Sequence, residues 1–263
     1  VLYLKPAPDY SGFYFASGLL LQKLNFSFEL AKRLDGPMNL FPRILYGMYR
    51  NSVKLYQRLF IETHVWGRDR IPPGPKIFVG NHISSHDGFW FTPTVTEPVH
   101  YVIGPGYDSW IGAKFLNAFE SINALSPDAH TVVEQSVKYL NKGEAVAIAP
   151  EGDLNETFSL GRFMPGVARI YLASRVPIVP FALLAPRRCL SENPKKRQVI
   201  NGHVYRMVNV RRGPYCVSFG KPWSPTYDGL SETKQIVRIT RELRDRIESL
   251  VEDMRINKFW LES

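Results

Sequence analysis

The chain has 263 residues, 44% hydrophobic and 22% charged, an ordinary globular balance that excludes wholesale disorder and suits one α/β unit. Its 33 Lys and Arg outnumber 24 Asp and Glu, leaving a net charge of +9. That excess implies an anionic partner: nucleic acid, acidic lipid or a phosphorylated substrate. The longest charge-free stretch, residues 10–22, spans 13 residues, short of the ~20 apolar residues a membrane-spanning helix needs. With only two cysteines, Cys189 and Cys216, a disulfide framework is excluded and no metal-like spacing arises. No N-terminal run joins a basic start, an apolar stretch and a small-residue cleavage site, so no secretory signal is expected.

The positive charge is concentrated in two places. Residues 1–70 hold ten basic and five acidic side chains, and residues 187–212 hold eight basic and one acidic. Within the first place, the stretch from Leu40 to Phe60 has only Pro42, near its start, and reads as a helix. Arg43, Arg50, Lys54 and Arg58 fall within an arc of roughly 80° at 100° per residue. Tyr49, Val53, Tyr56 and Phe60 project from the opposite side, with Phe41, Met48 and Leu59 beside them. Cations for head groups and rings for the acyl boundary are what an interfacial membrane helix needs. An amphipathic helix packed on its own domain shows the same pattern. The stretch before it, with Phe13, Phe15, Leu20, Leu24 and Phe28, carries too many large apolar groups for an exposed arm. Residues 1–72 are therefore assigned to an amphipathic helical membrane-associating segment, and residues 73–263 to an α/β domain.

From Ile71 onward the pattern changes. Ile71-Pro72-Pro73-Gly74-Pro75 cannot continue a helix. Strand-like runs follow at 76–80, 99–104, 144–149, 178–184 and 215–219, with helical patterns at 109–118, 131–140 and 167–174 between them. Alternating strands and helices predict a mostly parallel sheet flanked by helices. Ser231 reads as the N-cap of a closing amphipathic helix whose apolar face holds Ile236, Ile239, Leu243, Ile247, Leu250 and Met254.

Chemistry enters directly after the first of these strands, at Asn81-His82-Ile83-Ser84-Ser85-His86-Asp87. A histidine leaving the carboxyl end of a buried strand points into the crevice where open α/β sheets bind ligands. Asp87, just inside a following helix, can fold back to one ring nitrogen, fix the tautomer and leave the other nitrogen as a general base. Two plainer readings stay open: a histidine bonded within its own turn, and zinc held by His82, His86 and Asp87. The metal reading lacks a zincin-type glutamate and any distant ligand. A second polar turn, Pro150-Glu151-Gly152, ends the run at 144–149 and places Glu151 at the same sheet edge. Ser84 and Ser85 lack a Gly-x-Ser-x-Gly setting and read as helix-capping residues, not nucleophiles.

Taken in order, these elements resemble the lysophosphatidic acid and glycerol-phosphate acyltransferase superfamily, the PlsC-like His-x4-Asp enzymes. Asn81, His82 and Asp87 match its first motif, Asn-His-x4-Asp. Pro150, Glu151 and Gly152 match its third, Glu-Gly-Thr-Arg, with Asp153 and Leu154 in place of threonine and arginine. Phe163-Met164-Pro165-Gly166 resembles the Phe-Lys-x-Gly segment, and Val176-Pro177-Ile178-Val179-Pro180 resembles the fourth motif. The second motif is poor, since residues 121–125 contain no arginine. The resemblance covers about residues 76–184, and the amphipathic start is similar to the membrane-docking helices of some bacterial members.

The resemblance implies O-acyl transfer from an acyl thioester, acyl-coenzyme A or acyl carrier protein, to a lipid hydroxyl. His82 is expected to deprotonate the acceptor and Asp87 to orient the ring. Asn81, Glu151, Gly152, Arg162, Gly166 and Pro177 are expected to line the substrate site. No cofactor beyond the thioester co-substrate and no metal is implied. The expected location is peripheral, at an anionic membrane surface on the cytoplasmic face, reached through Arg43, Arg50, Lys54 and Arg58. The missing arginines favour an acceptor other than a phosphate monoester; Arg162, or the Lys195-Lys196-Arg197 run folding over the site, offers the counter-reading. Competing classes are 1-acylglycerol-3-phosphate acyl transfer, a hydrolase using the same pair on water, and a non-catalytic basic lipid-binding protein. No nucleic-acid motif accompanies the charge.

Overall fold

The computed structural model describes residues 40–257, apart from Pro127, residues 156–158, Asn201 and Arg211. The apolar stretch from Phe13 to Phe28 lies outside the described residues, as do the cations before residue 40.

Helix α1 (Leu40–Phe60) runs directly into strand β1 (Ile61–Trp66). There follow β2 (Lys76–Gly80), α2 (Asp87–Phe91), β3 (Val99–Ile103), α3 (Trp110–Ala118), β4 (Ile122–Asn123), α4 (Ala129–Asn141) and β5 (Ala145–Ile148). Helix α5 (Gly166–Ser174) leads to β6 (Ile178–Leu184); after an insertion come β11 (Gly213–Phe219) and α6 (Glu232–Asn257). The insertion is built from β7 (Leu190–Glu192), β8 (Gln198–Ile200), β9 (His203–Tyr205) and β10 (Val208–Val210). Seven strands form one sheet in the order β1-β11-β6-β2-β5-β3-β4. Every neighbouring pair is parallel except β11 with β6. The mostly parallel sheet read from the sequence is the observed one.

Both faces of this sheet are covered, which is why β2 and β6 are continuous apolar runs with every residue but Lys76 and Gly80 large or branched, or else Pro and Ala. Alternation along β2 sends Ile77 and Val79 to one face and Phe78 to the other. Ile77, Val79, Val146 and Ile178 pack with Val167 and Ile170 of α5 and Ile239, Leu243 and Ile247 of α6. Phe78, Val179, Phe181, Val217 and Phe219 pack with Phe91 of α2 and Val53 of α1. Each such side chain contributes about 1.5–3 kcal/mol when removed from water. Ser231 precedes α6 as expected, its carbonyl accepting from the Gln235 N–H at 3.0 Å.

Two expectations need correction at the start of the chain. Residues 61–66 belong with the sheet, as β1 pairs in parallel with β11 from Ile61 opposite Gly213 to Trp66 opposite Ser218. A division at residue 72 therefore cuts across the sheet. The aromatic face of α1 also points inward. Tyr46 and Val53 are buried, Tyr49 packs 4.9 Å from Phe119, and Tyr56 stacks 5.6 Å from Trp90. Gln57 is buried beside them and donates to the Trp90 carbonyl at 2.8 Å. Besides Phe60 at its end, the large apolar residues that α1 turns to solvent are Ile44, Met48, Leu55 and Leu59. At 100° per residue these four share an arc of roughly 60° next to the basic stripe. Arg43, Lys54 and Arg58 are exposed on that stripe, while Arg50 donates to the Thr96 carbonyl. Among the described residues, no helix is long and apolar enough to cross a membrane.

Candidate active site

Strand β2 ends at Gly80, where a Cβ would come within 2.3 Å of the Phe181 ring. The missing side chain lets β6 close over the strand end before the chain turns out of the sheet. Asn81 makes that turn rigid. Its Nδ2 donates to the Leu183 carbonyl at 2.9 Å, and its Oδ1 accepts from the Leu183 N–H at 2.7 Å. Both ends of the amide are used on β6, so Asn81, expected among the substrate-lining residues, is a backbone clamp.

His82 then stands at the carboxyl edge of β2. Its Nδ1 lies 2.8 Å from Asp87 Oδ2. The histidine side chain is 30% exposed and the aspartate 8%, so the pair joins a solvent-reaching ring to a sheltered carboxylate. The same Asp87 Oδ2 accepts the Ile83 N–H at 2.8 Å and the Ser84 N–H at 2.9 Å. Asp87 Oδ1 accepts from the Tyr215 hydroxyl at 3.0 Å. Four donors thus hold one carboxylate against Nδ1 of a partly exposed ring, leaving Nε2 as its other nitrogen. Such a carboxylate favours the Nδ1–H tautomer and makes Nε2 the basic atom.

Tyr215 was not foreseen. It is fully buried on β11, and burial with the Asp87 charge beside it pushes its hydroxyl well above its usual range, keeping it a donor. A hydroxyl-bearing ring opening the mostly apolar run 215–219 was its only sequence signal.

The second turn is locked to the first. Strands β2 and β5 are parallel neighbours, which brings Glu151 beside His82. Glu151 Oε1 accepts the His82 N–H at 3.3 Å, and Oε2 accepts from the Gly161 N–H at 2.7 Å and Asn155 Nδ2 at 2.9 Å. The Asn155 N–H returns to the His82 carbonyl at 2.7 Å. Gly152 follows with φ +71°, and a Cβ there would meet Met164 at 2.3 Å; its conformation and its space both call for glycine. Arg162, exposed, flanks Gly161 on the same loop, and Gly166 opens α5. Pro177 is not brought to the site. Its carbonyl accepts the Ile77 N–H at 3.0 Å, at the amino end of β2 and β6, opposite to His82.

His86 sits apart from the His82–Asp87 pair, against Phe89 at 5.5 Å and Trp90 at 6.3 Å. Burial pulls its pKa down to about 4, opposed by the Asp87 charge and the Asn209 side chain, with Lys196 lowering it further. It is an uncharged ring at neutral pH. Among the described residues, no group of three His, Cys, Asp or Glu converges as cation ligands do.

The basic insertion folds over these turns. Ser85 donates its N–H to the Val208 carbonyl at 2.8 Å, and the Val208 N–H donates to Ser85 Oγ at 3.0 Å. Ser84 Oγ also donates to the Val208 carbonyl, at 3.1 Å. These serines therefore pin the insertion; the N-cap of α2 is His86, whose N–H donates to Ser84 Oγ at 3.2 Å, so neither serine caps the helix as expected. Arg206 donates to the Leu154 carbonyl at 2.8 Å, and His203 Nε2 lies 3.4 Å from Asp153. Of the insertion's cations, Arg206 reaches the Glu-Gly turn, while Arg197 pairs with Glu192 at 2.6 Å.

Residues 62–184 match the family described as Acyltransferase. The crystal structure of the 1-acyl-sn-glycerophosphate (LPA) acyltransferase PlsC from Thermotoga maritima superposes with a TM-score of 0.60 at 14% sequence identity, over 94% of this chain and 88% of that one. At that identity the superposition establishes the shared fold, and the sequence match spans both polar turns. The acyltransferase family match therefore covers residues 62–184, within a fold shared with that PlsC enzyme.

Proposed function

We propose that the protein transfers a fatty acyl group from an acyl thioester, acyl-coenzyme A or acyl carrier protein, to a hydroxyl of a lysolipid or glycolipid. The observation carrying this reading is the His82 Nδ1 to Asp87 Oδ2 contact of 2.8 Å in a ring 30% exposed at the strand edge. In the step, Nε2 takes the acceptor hydroxyl proton as the oxygen attacks the thioester carbonyl. The carbon–sulfur bond then breaks, and the imidazolium returns its proton to the leaving thiolate. Asp87 stabilises the imidazolium throughout, and no acyl-enzyme or further cofactor is needed. Glu151 positions His82 through its backbone N–H and organises the loop carrying Arg162.

The acceptor reading rests on charge. A phosphate monoester carries close to two negative charges and favours bidentate guanidinium contacts. Leu154 and residues 121–125 supply none, and Asp153 adds a negative charge. A neutral, diester or sugar head group fits better. A second reading has its own observation: Arg206, 2.8 Å from the Leu154 carbonyl, brings one guanidinium to the same turn, and the superposed relative is an LPA acyltransferase.

Membrane contact through the outward stripe of α1, with cations Arg43, Lys54 and Arg58 beside Ile44, Met48, Leu55 and Leu59, would give access to such acceptors at the cytoplasmic face. Incubation with acyl-coenzyme A or acyl carrier protein and lysophosphatidic acid, a diester lysolipid or a lyso-glycolipid, read by mass spectrometry, tests donor and acceptor together. The favoured reading expects a diester or sugar acceptor to react fastest. A tenfold preference for lysophosphatidic acid, about 1.4 kcal/mol in the transition state, would assign the head group to Arg206 instead. Release of free fatty acid alone would make the protein a hydrolase.

A further inference from the structure

Resting on that reading, we propose that the β8–β9 hairpin is a second membrane contact, its outward valines entering the acyl boundary of an anionic bilayer. Val199 on β8 stands directly opposite Val204 on β9, and alternation puts both on one face of the hairpin. They are 69% and 48% exposed. Water gains nothing from a paired β-branched face at a hairpin tip, and no described residue covers it.

The other face is partly covered by the protein itself, although His203 remains half exposed. Ile200 is buried, His203 approaches Asp153, and Tyr205 packs 4.6 Å from the His203 ring. The hairpin thus anchors itself through Ile200 and the His203–Asp153 contact and points its valines from the opposite face. Three exposed cations, Lys195, Lys196 and Arg197, enter β8, and Glu192 pairs with Arg197. Valines between cations, in a segment with eight basic residues and one acid, complement an anionic lipid surface. Strand β8 also lies beside the turn Pro105–Asp108, which leads to Trp110 and Ile111, both more than half exposed. Lys114 Nζ sits 3.9 Å over the Trp110 ring. An indole capped by a cation belongs at a membrane–water interface.

The segment directly after the hairpin is held by the Ser84, Ser85, Arg206 and Val208 hydrogen bonds. A bilayer against the hairpin's outward face would therefore border the candidate active site.

Cys189 and Cys216 are both buried, so Val199→Cys takes a thiol-reactive, polarity-sensitive fluorophore alone. On vesicles of mixed phosphatidylglycerol and phosphatidylcholine the probe should shift to the blue and be quenched by bromine-labelled acyl chains. Phosphatidylcholine alone should leave it unchanged. Val199→Asp with Val204→Asp, both exposed, should lower vesicle partitioning about tenfold without moving Tm. Protein that floats with vesicles while its probe stays unshifted overturns the hairpin contact and leaves the acyl-transfer reading standing. A blue shift that grows with protein concentration without vesicles makes the valines a self-association face and overturns it too. Failure of the parent protein to float with anionic vesicles removes both membrane contacts.

Discussion

Tyr215 and His86 are where single side chains make the site's demands measurable. The Tyr215 hydroxyl is one of four donors to Asp87, and hydrogen bonds to charged groups contribute about 1.5–3 kcal/mol. Tyr215→Phe leaves the ring packed and removes only that donor. It should lower stability by about 1–2 kcal/mol and kcat about tenfold with KM nearly unchanged; an unaltered kcat would make the bond purely structural. His86 carries a pH signature. Its pKa falls from 6.5 to about 4 on folding, so between those values the unfolded chain binds the extra proton. Stability should decline as pH drops through that window, by up to about 3 kcal/mol from this residue. His86→Phe, which keeps a ring against Phe89 and Trp90, should flatten the Tm–pH slope between pH 6.5 and 4. An unchanged slope would place the acid lability elsewhere.

Among the elements, α1 carries the widest consequence. Its inward aromatic face and outward Ile44, Met48, Leu55 and Leu59 separate fold from surface. Reversing Arg43, Lys54 and Arg58 to glutamate should reduce binding to anionic vesicles about tenfold while leaving Tm within a degree or two. Raised salt should do the same to the parent. Co-flotation unchanged by either treatment would make the stripe an ordinary solvated face. Periodicity places α1 as a helix but cannot say which of two apolar arcs meets the core, because that depends on Phe89, Phe115, Phe119 and Trp90 far along the chain. The strands at 76–80 and 178–184 were legible because burial on both faces makes continuous apolar runs. Strand β1, Ile-Glu-Thr-His-Val-Trp, was not. It sits at the sheet edge, keeps polar residues, and follows α1 without a break. The short strands β7–β10 hid inside a basic, polar stretch for the same reason.

At the scale of the whole molecule, the sheet order brings together residues that spacing alone could not join. His82 and Asp87 were legible because both lie on one turn. Glu151 followed from two strands ending alike. Tyr215 and Val208 were not legible, since each meets the site from more than 120 positions away. The charge distribution acquires a geometry in the same way: Arg43, Lys54 and Arg58 lie along the outside of α1, and the basic insertion roofs the His82 edge.

The central claim is that His82 Nε2 is the base for acyl transfer, and His82→Ala tests it most directly. Initial rates of acylated-lipid formation from an acyl thioester, compared between parent and variant at matched circular dichroism and Tm, give the answer. General-base catalysis contributes about 10²–10⁴-fold, so the variant should lose at least a hundredfold in kcat. A well-folded His82→Ala protein turning over within a few-fold of the parent would contradict the account.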